Sequence, residues 1–301
     1  MLVRTAVLSL SLSLSLLTVA VVTGQEAPAQ SPSVTDAEAK MFAMSAGYER
    51  FMGRWSRLLA PNFIAFAGIT NGNRVLDVGT GTGSAAEAVE ASMPASEVVG
   101  IDPSAGFIAY AQKNAKSKRA HFALGDAQAL NFKDASFDNA IALLVMNFIP
   151  DHNKAISEMR RVIRAGGTVS ACVWDYNEGM QSLRFFWDEA VAFDPAIEPR
   201  DERHMKLSRQ GQLGDLWRKA GLVNVTEQPL TIDQSFSSFN EYWGPFTTGA
   251  GPGGAYVVSL SDDRRQKLEA RVQKRLLGER KEGPFTLTAR AWCVRGEVPK
   301  T

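Results

Sequence analysis

At 301 residues, 45% of them hydrophobic and 22% charged, the chain has the composition of a globular protein able to bury a sizeable core. Its 33 basic and 32 acidic residues leave a net charge of +1, which favours no nucleic acid or anionic membrane as a partner. Two cysteines, Cys172 and Cys293, are too few for a metal site of their own or a disulfide framework. Each lies in an apolar, strand-like run and reads as a buried thiol.

In chain order, residues 1–24 come first, with Arg4 and then no charge until Glu26. They resemble a signal peptide or an anchor, and either reading places the remainder outside the cytoplasm. Residues 25–35, rich in Pro, Ala, Ser and Gln, read as a flexible linker. Thr35 and Glu38 fit a capping box, so a helix is expected from near Asp36, carrying "MFAMSAGYERFMGRWSRLLA" in one or two pieces.

From Arg74 strands and helices alternate. Strands are expected at 75–78, 98–101, 121–124, 139–146 and 168–174, and helices at 84–93, 104–116 and 153–164, the last ended by Gly166 and Gly167. Continuous apolar strands in this rhythm predict a parallel α/β sheet covered on both faces, with ligands at the carboxyl ends of its strands. Further on, 181–192 and 212–220 read as helices and 223–232 and 285–295 as strands, and Leu268, Val272 and Leu276 mark another amphipathic helix. The stretch "FNEYWGPFTTGAGPGGAYVV" reads as an aromatic, glycine-rich loop.

The first strand runs into "RVLDVGTGTGSAAEAV", with Gly79, Gly81 and Gly83 before a small-residue helix. Such a loop lets a nucleotide approach the backbone, and G-x-G-x-x-G/A can be laid on Gly81, Gly83 and Ala86, so spacing alone leaves NAD open. Charge separates the cases: a carboxylate at Asp77 repels a pyrophosphate but suits a sulfonium and an ammonium.

These residues resemble motif I of the class I S-adenosylmethionine-dependent methyltransferases, and further motifs follow in order: "VVGIDPS", "LGDAQAL", "FDNAIALLVMNFI" and "EMRRVIRAGGTVSACVWD". "GYERFMGRWSRLLA" and "FTLTARAWCVRG" are similar to the small-molecule branch that includes quinone-biosynthesis C-methyltransferases. The resemblance implies a Rossmann-like, seven-stranded, mostly parallel sheet with helices on both faces and the last strand antiparallel. It implies S-adenosyl-L-methionine as cofactor, held by Asp77, Gly79, Thr80, Gly81, Gly83, Asp102, Pro103, Asp126, Ala127 and Asn147. In that reading Asp102 takes the ribose hydroxyls, Asp126 the adenine amino group beside Ala127, and 145–147 border the methyl-transfer centre. Without the family, Asp102 reads as a helix cap and Asp126 as a turn residue.

No catalytic base stands out: His152 is the nearest candidate, His204 lies in a charged run, and His121 opens a strand at the wrong edge. Tyr48, Phe51 and Trp55 fit either a lid over the cofactor or a buried helix face. Trp174, Phe186, Trp187, Tyr242 and Trp243 fit either an apolar acceptor chamber or core. The expectation is one methyltransferase domain over 36–301, with its core at 72–175 and substrate-side elements at 176–301. It would act on a small, partly hydrophobic acceptor, with no metal and no nucleic acid. The alternatives are an NAD(P)-dependent oxidoreductase and a cofactor-binding protein without catalysis. Cofactor supply points to the cytoplasm and the first 24 residues point away from it; a start at Met41 or Met44 would reconcile the two.

Overall fold

The computed structural model describes residues 49–280 and 282–300. The leader-like segment, the linker, the capping box at Thr35 and Glu38, and Tyr48 lie outside them. A π-helical turn at Glu49–Gly53 leads into helix α1 (Arg54–Ala67), whose buried residues include Trp55, Leu59, Phe63, Ile64 and Ala67 at helical spacing. Then come β1 (Arg74–Val78), α2 (Ser84–Ser92), β2 (Glu97–Asp102), α3 (Ala105–Asn114), β3 (Ala120–Leu124), β4 (Phe137–Leu143), α4 (His152–Val162) and β5 (Ile163–Trp174). The last third holds α5 (Gln181–Phe193), α6 (Gln212–Lys219), β6 (Val223–Phe236), α7 (Phe239–Thr247), α8 (Gly251–Ser259), α9 (Asp262–Leu277) and β7 (Phe285–Glu297).

The strands form one sheet in the order β3-β2-β1-β4-β5-β7-β6. β1 to β5 pair in parallel, and β7 runs antiparallel to both β5 and β6. Six strands therefore share a direction and β7 opposes them, which is the Rossmann-like α/β sheet expected. Val75–Val78 are all buried, and so are the final six residues of β5, so both faces of the sheet are covered. Helix α1 packs on α2, and α4 on α6. Strand order reverses between β1 and β4, so a crevice opens at their carboxyl ends. The glycine loop lies at that switch point.

Three expectations are corrected. Residues 239–258 form α7 and α8 rather than a loop. Ser238 caps α7 by accepting from Glu241 N at 3.2 Å, and Glu241 reaches back to accept from Ser237 N at 2.6 Å. Pro252 sits in the first turn of α8, where its missing N–H removes no helical bond. Second, α4 ends at Val162 and β5 begins at Ile163, so Gly166 and Gly167 lie inside the strand. A Cβ on Gly167 would sit 2.3 Å from the Asp138 carbonyl oxygen, so β4 is the close neighbour that requires glycine there. Third, the cysteines are not free thiols. Cys172 and Cys293 are register partners across β5 and β7, both fully buried and joined as a disulfide.

Candidate functional site

β1 ends at Val78, and the chain turns through Gly79–Gly83 before α2 begins. Gly79, Gly81 and Gly83 have φ of +67°, +53° and +92°, the left-handed region where glycine is the residue without steric cost. Gly79 is also fixed by space: a Cβ there would lie 2.4 Å from Val145 Cγ2. A Cβ on Gly81 would meet nothing nearer than the Gly79 carbonyl oxygen at 4.0 Å, so its backbone borders open space that a ligand can enter. The loop is anchored to β2 by Thr80 N, which donates to the Ile101 carbonyl at 2.9 Å.

Asp77 is completely buried. Its Oδ2 accepts from Thr80 Oγ1 at 2.6 Å, and the Ala86 amide in the first turn of α2 also faces the carboxyl. Burial pushes the carboxyl up to about 7, against the Thr80 hydrogen bond that pulls it down. Burial therefore opposes ionisation of this acid in the cofactor-free chain, and its hydrogen bond to Thr80 shapes the loop.

Asp102 closes β2. Its Oδ2 accepts from Gly81 N at 3.1 Å and its Oδ1 from Ser104 N at 2.8 Å. Burial raises its carboxyl, opposed by those two amides. Each carboxylate oxygen has two acceptor positions, so both keep one for a diol. Leu124, the register partner of Asp102 on β3, is 62% exposed. An apolar surface at that edge is a feature sequence reading passed over, although a large aliphatic residue just before "GD" was a visible signal. Pro103 follows Asp102 and is exposed.

Asp126 is exposed, with half-buried Ala127 beside it. Its Oδ1 accepts from Gln128 N at 2.8 Å and from Gln128 Nε2 at 3.1 Å, while Gln128 Oε1 accepts from Asp151 N at 3.1 Å. Gln128 thus ties the loop after β3 to the start of α4, a second role the sequence did not reveal. Asn147 lies in a short 3₁₀ turn, Met146–Phe148, beyond β4; it is buried, and neither its Nδ2 nor its Oδ1 has a partner among the described residues. Leu144, just before Val145, holds a positive φ of 61°, which turns the chain toward Gly79. Asp77, the glycine loop and Asp102 are thus linked directly, with Val145 seated against Gly79. Asp126 and Asn147 stand at the same edge of the sheet.

The other candidates separate. His152 opens α4 on this edge, half-buried, its Nε2 unpartnered among the described residues and its pKa lowered by burial and by Lys206. His204 is exposed and paired with Glu198, and His121 is exposed. Trp55 belongs to the buried face of α1, and Phe51 packs edge-on against Phe246 of α7. Trp174, Phe186, Trp187, Tyr242 and Trp243 are all core residues: Trp187 donates to Glu202 and the Tyr242 hydroxyl to the Ser182 carbonyl. Tyr242 also borders a cleft lined by Phe51, Arg54, Trp55, Ser182, Leu183 and Phe236 among others, with about 20 Å³ of free space.

Residues 76–171 match the Methyltransferase domain family. A demethylmenaquinone methyltransferase of Roseiflexus castenholzii is 36% identical over 204 residues, spanning 62% of this chain and 85% of that protein. An uncharacterised protein of Mycobacterium tuberculosis is 35% identical over 118 residues, 38% of this chain, and the match spans only 42% of that relative's length. Among solved structures, a chain of the complex between the Haloferax volcanii Trm112 methyltransferase activator and a methyltransferase superposes with a TM-score of 0.54 at 18% identity, covering 87% of this chain and 98% of that one. Haemonchus contortus phosphoethanolamine N-methyltransferase 2, solved with S-adenosylhomocysteine, gives 0.52 at 18% identity, over 89% of this chain and 58% of that one. At such identities the two structures establish the fold.

Proposed function

The chain belongs to the class I S-adenosylmethionine-dependent methyltransferases, and from that premise we propose that it transfers a methyl group from S-adenosyl-L-methionine to a small, partly hydrophobic acceptor. One observation carries the cofactor assignment. Asp102 is clamped at the end of β2 by the Gly81 and Ser104 amides, with acceptor positions left for a ribose diol beside the open backbone of Gly81. Asp126 and Ala127 would face the adenine, with exposed Leu124 as an apolar wall. The loop residues Gly79, Thr80 and Gly83 and the neighbouring Pro103 complete the set. The buried, unpaired amide of Asn147 is suited to the methionine end or to the acceptor.

The bound cofactor supplies an already activated methyl on a cationic sulfur. What remains for the chain is alignment, and holding two reactants in a near-attack pose can supply roughly 7–11 kcal/mol of the barrier. The glycine loop and Asp102 fix one reactant. The cleft by Phe51, Trp55, Phe236 and Tyr242 receives the other once its ring side chains shift, because its present free space of about 20 Å³ holds no more than a water.

Calorimetric titration with S-adenosylmethionine and with NAD tests the cofactor: binding of NAD in preference overturns the proposal in favour of an oxidoreductase. A panel of quinols, phenols and amines, read out as S-adenosylhomocysteine, tests catalysis. Cofactor binding with no turnover on any acceptor would leave a binding protein.

A further inference from the structure

The inner face of β6 carries Leu230, Ile232, Gln234 and Phe236 in strict alternation with outward-facing Thr231, Asp233 and Ser235. Three of the four are what an inward stripe requires. Gln234 is not: it has no exposed surface at all, and neither Nε2 nor Oε1 has a hydrogen-bond partner among the described residues. A buried amide left unpaired is destabilising, and native cores hold few of them. Its inward neighbour Phe236 lines the cleft and meets Trp55 of α1 at 5.3 Å, Tyr242 at 5.4 Å and Phe285 at 5.1 Å between ring centroids. Across the ladder Gln234 faces Leu287. The carboxamide is thus a buried, unpaired hydrogen-bonding group one inward position before Phe236 of the aromatic cleft, at the carboxyl edge where the glycine loop also stands. Two further buried donors lack a partner among the described residues: Arg54 Nε, on a residue that lines the cleft itself, and Trp174 Nε1, on the same face of β5 through the register Trp174–Ala291–Leu230.

We propose that Gln234 is the residue that selects the acceptor, pairing its amide with an oxygen or nitrogen substituent on a flat, otherwise apolar ring held by Phe236, Trp55 and Tyr242. A ring hydroxyl both donates and accepts, which is what a carboxamide offers in return. An acceptor without that substituent would enter the same rings and leave the amide unpaired, which is how a site built to hydrogen-bond a group rejects analogues lacking it. The inference rests on the methyl-transfer reading for the identity of the bound molecule as an acceptor.

The test compares 1-naphthol with 1-methylnaphthalene, similar in shape, as ligands of the full chain saturated with S-adenosylhomocysteine, by ligand-observed NMR. Wild type is expected to prefer 1-naphthol by about tenfold or more, and Gln234→Met to bring the ratio to within about twofold. Gln234→Met should also melt no lower than wild type, because it removes an unpaired amide; a purely structural glutamine would melt lower when replaced. Equal binding of the two probes by wild type, or a preference that survives in Gln234→Met, overturns the proposal. Gln234→Leu gives the same reading should the methionine variant be insoluble. Titration of the same proteins with S-adenosylmethionine, before any S-adenosylhomocysteine is added, separates the two levels. No cofactor binding sinks methyl transfer, whereas cofactor binding with a wild-type probe ratio near one sinks Gln234 alone.

Discussion

Replacing Asp77 by asparagine turns its burial into a measurable pH dependence. The carboxyl ordinarily titrates at 3.8 and is pushed up to about 7 in the fold. Below pH 4 it is neutral in folded and unfolded chains alike, so ionisation contributes nothing to stability. Between 4 and 7 the unfolded chain releases this proton and the folded chain keeps it, so the wild type loses stability as pH rises; above 7 both are ionised and the loss is complete. A shift of that size corresponds to about 4 kcal/mol. The substituted amide does not titrate and retains an oxygen that can accept from Thr80. The stability of Asp77→Asn minus that of wild type, from urea unfolding at half-unit steps from pH 4 to 9, should therefore rise by about 4 kcal/mol and level off above 7. A difference that stays flat, or that falls with pH, would mean that Asp77 is ionised in the fold, and would restore the full charge to the strand end.

Other substitutions probe the remaining parts of the site. Asp102→Ala removes the acceptor of the Gly81 and Ser104 amides together with the ribose contact. Charge-assisted bonds are worth roughly 1.5–3 kcal/mol each, so calorimetry should show S-adenosylmethionine binding weakened at least tenfold. Gly79→Ala combines a positive φ with a Cβ driven into Val145 and should destabilise the chain by about 1–3 kcal/mol. Adding Val145→Ala should restore part of the melting temperature, because only the contact and not the backbone strain is relieved. Reducing the Cys172–Cys293 bond opens a loop closed over a separation of 121 residues and should cost about 2–5 kcal/mol, seen as a lower melting temperature in reductant. A melting temperature indifferent to reductant would show that the thiols are unpaired in solution.

Much of the parallel half of the fold could be read from the chain because its signals are local. Continuous apolar runs such as "AIALLV" and the glycines after "VLDV" report their own conformation, and Asp102 and Asp126 sit where the strand ends put them. What escaped depends on partners distant in sequence. Cys172 and Cys293 look like two isolated apolar-strand cysteines until the antiparallel register sets them opposite each other. The helices over 239–259 carry Gly and Pro in numbers that argue for a loop, and only the Ser237–Glu241 cap and contacts such as Phe186 stacked on Phe246 at 4.4 Å stabilise them. The apolar pattern of β6 stops at Ile232 because Gln234 breaks it, although Phe236 resumes it and the strand runs on. For Asp77 the residue and its place near the strand end were legible, whereas its complete enclosure depends on the elements packed around it and was not.

Strand β7, last to leave the ribosome among the seven, fills an interior slot between β5 and β6. Until residues 285–297 emerge, β5 lacks a partner on one edge and β6 has no neighbour, so the parallel sheet of residues 74–174 waits beside an unpaired ladder. Completion of the fold is thus a late zippering event in which one segment satisfies two strands at once. A nascent chain stalled short of that segment is the species on which chaperones, or aggregation, would act.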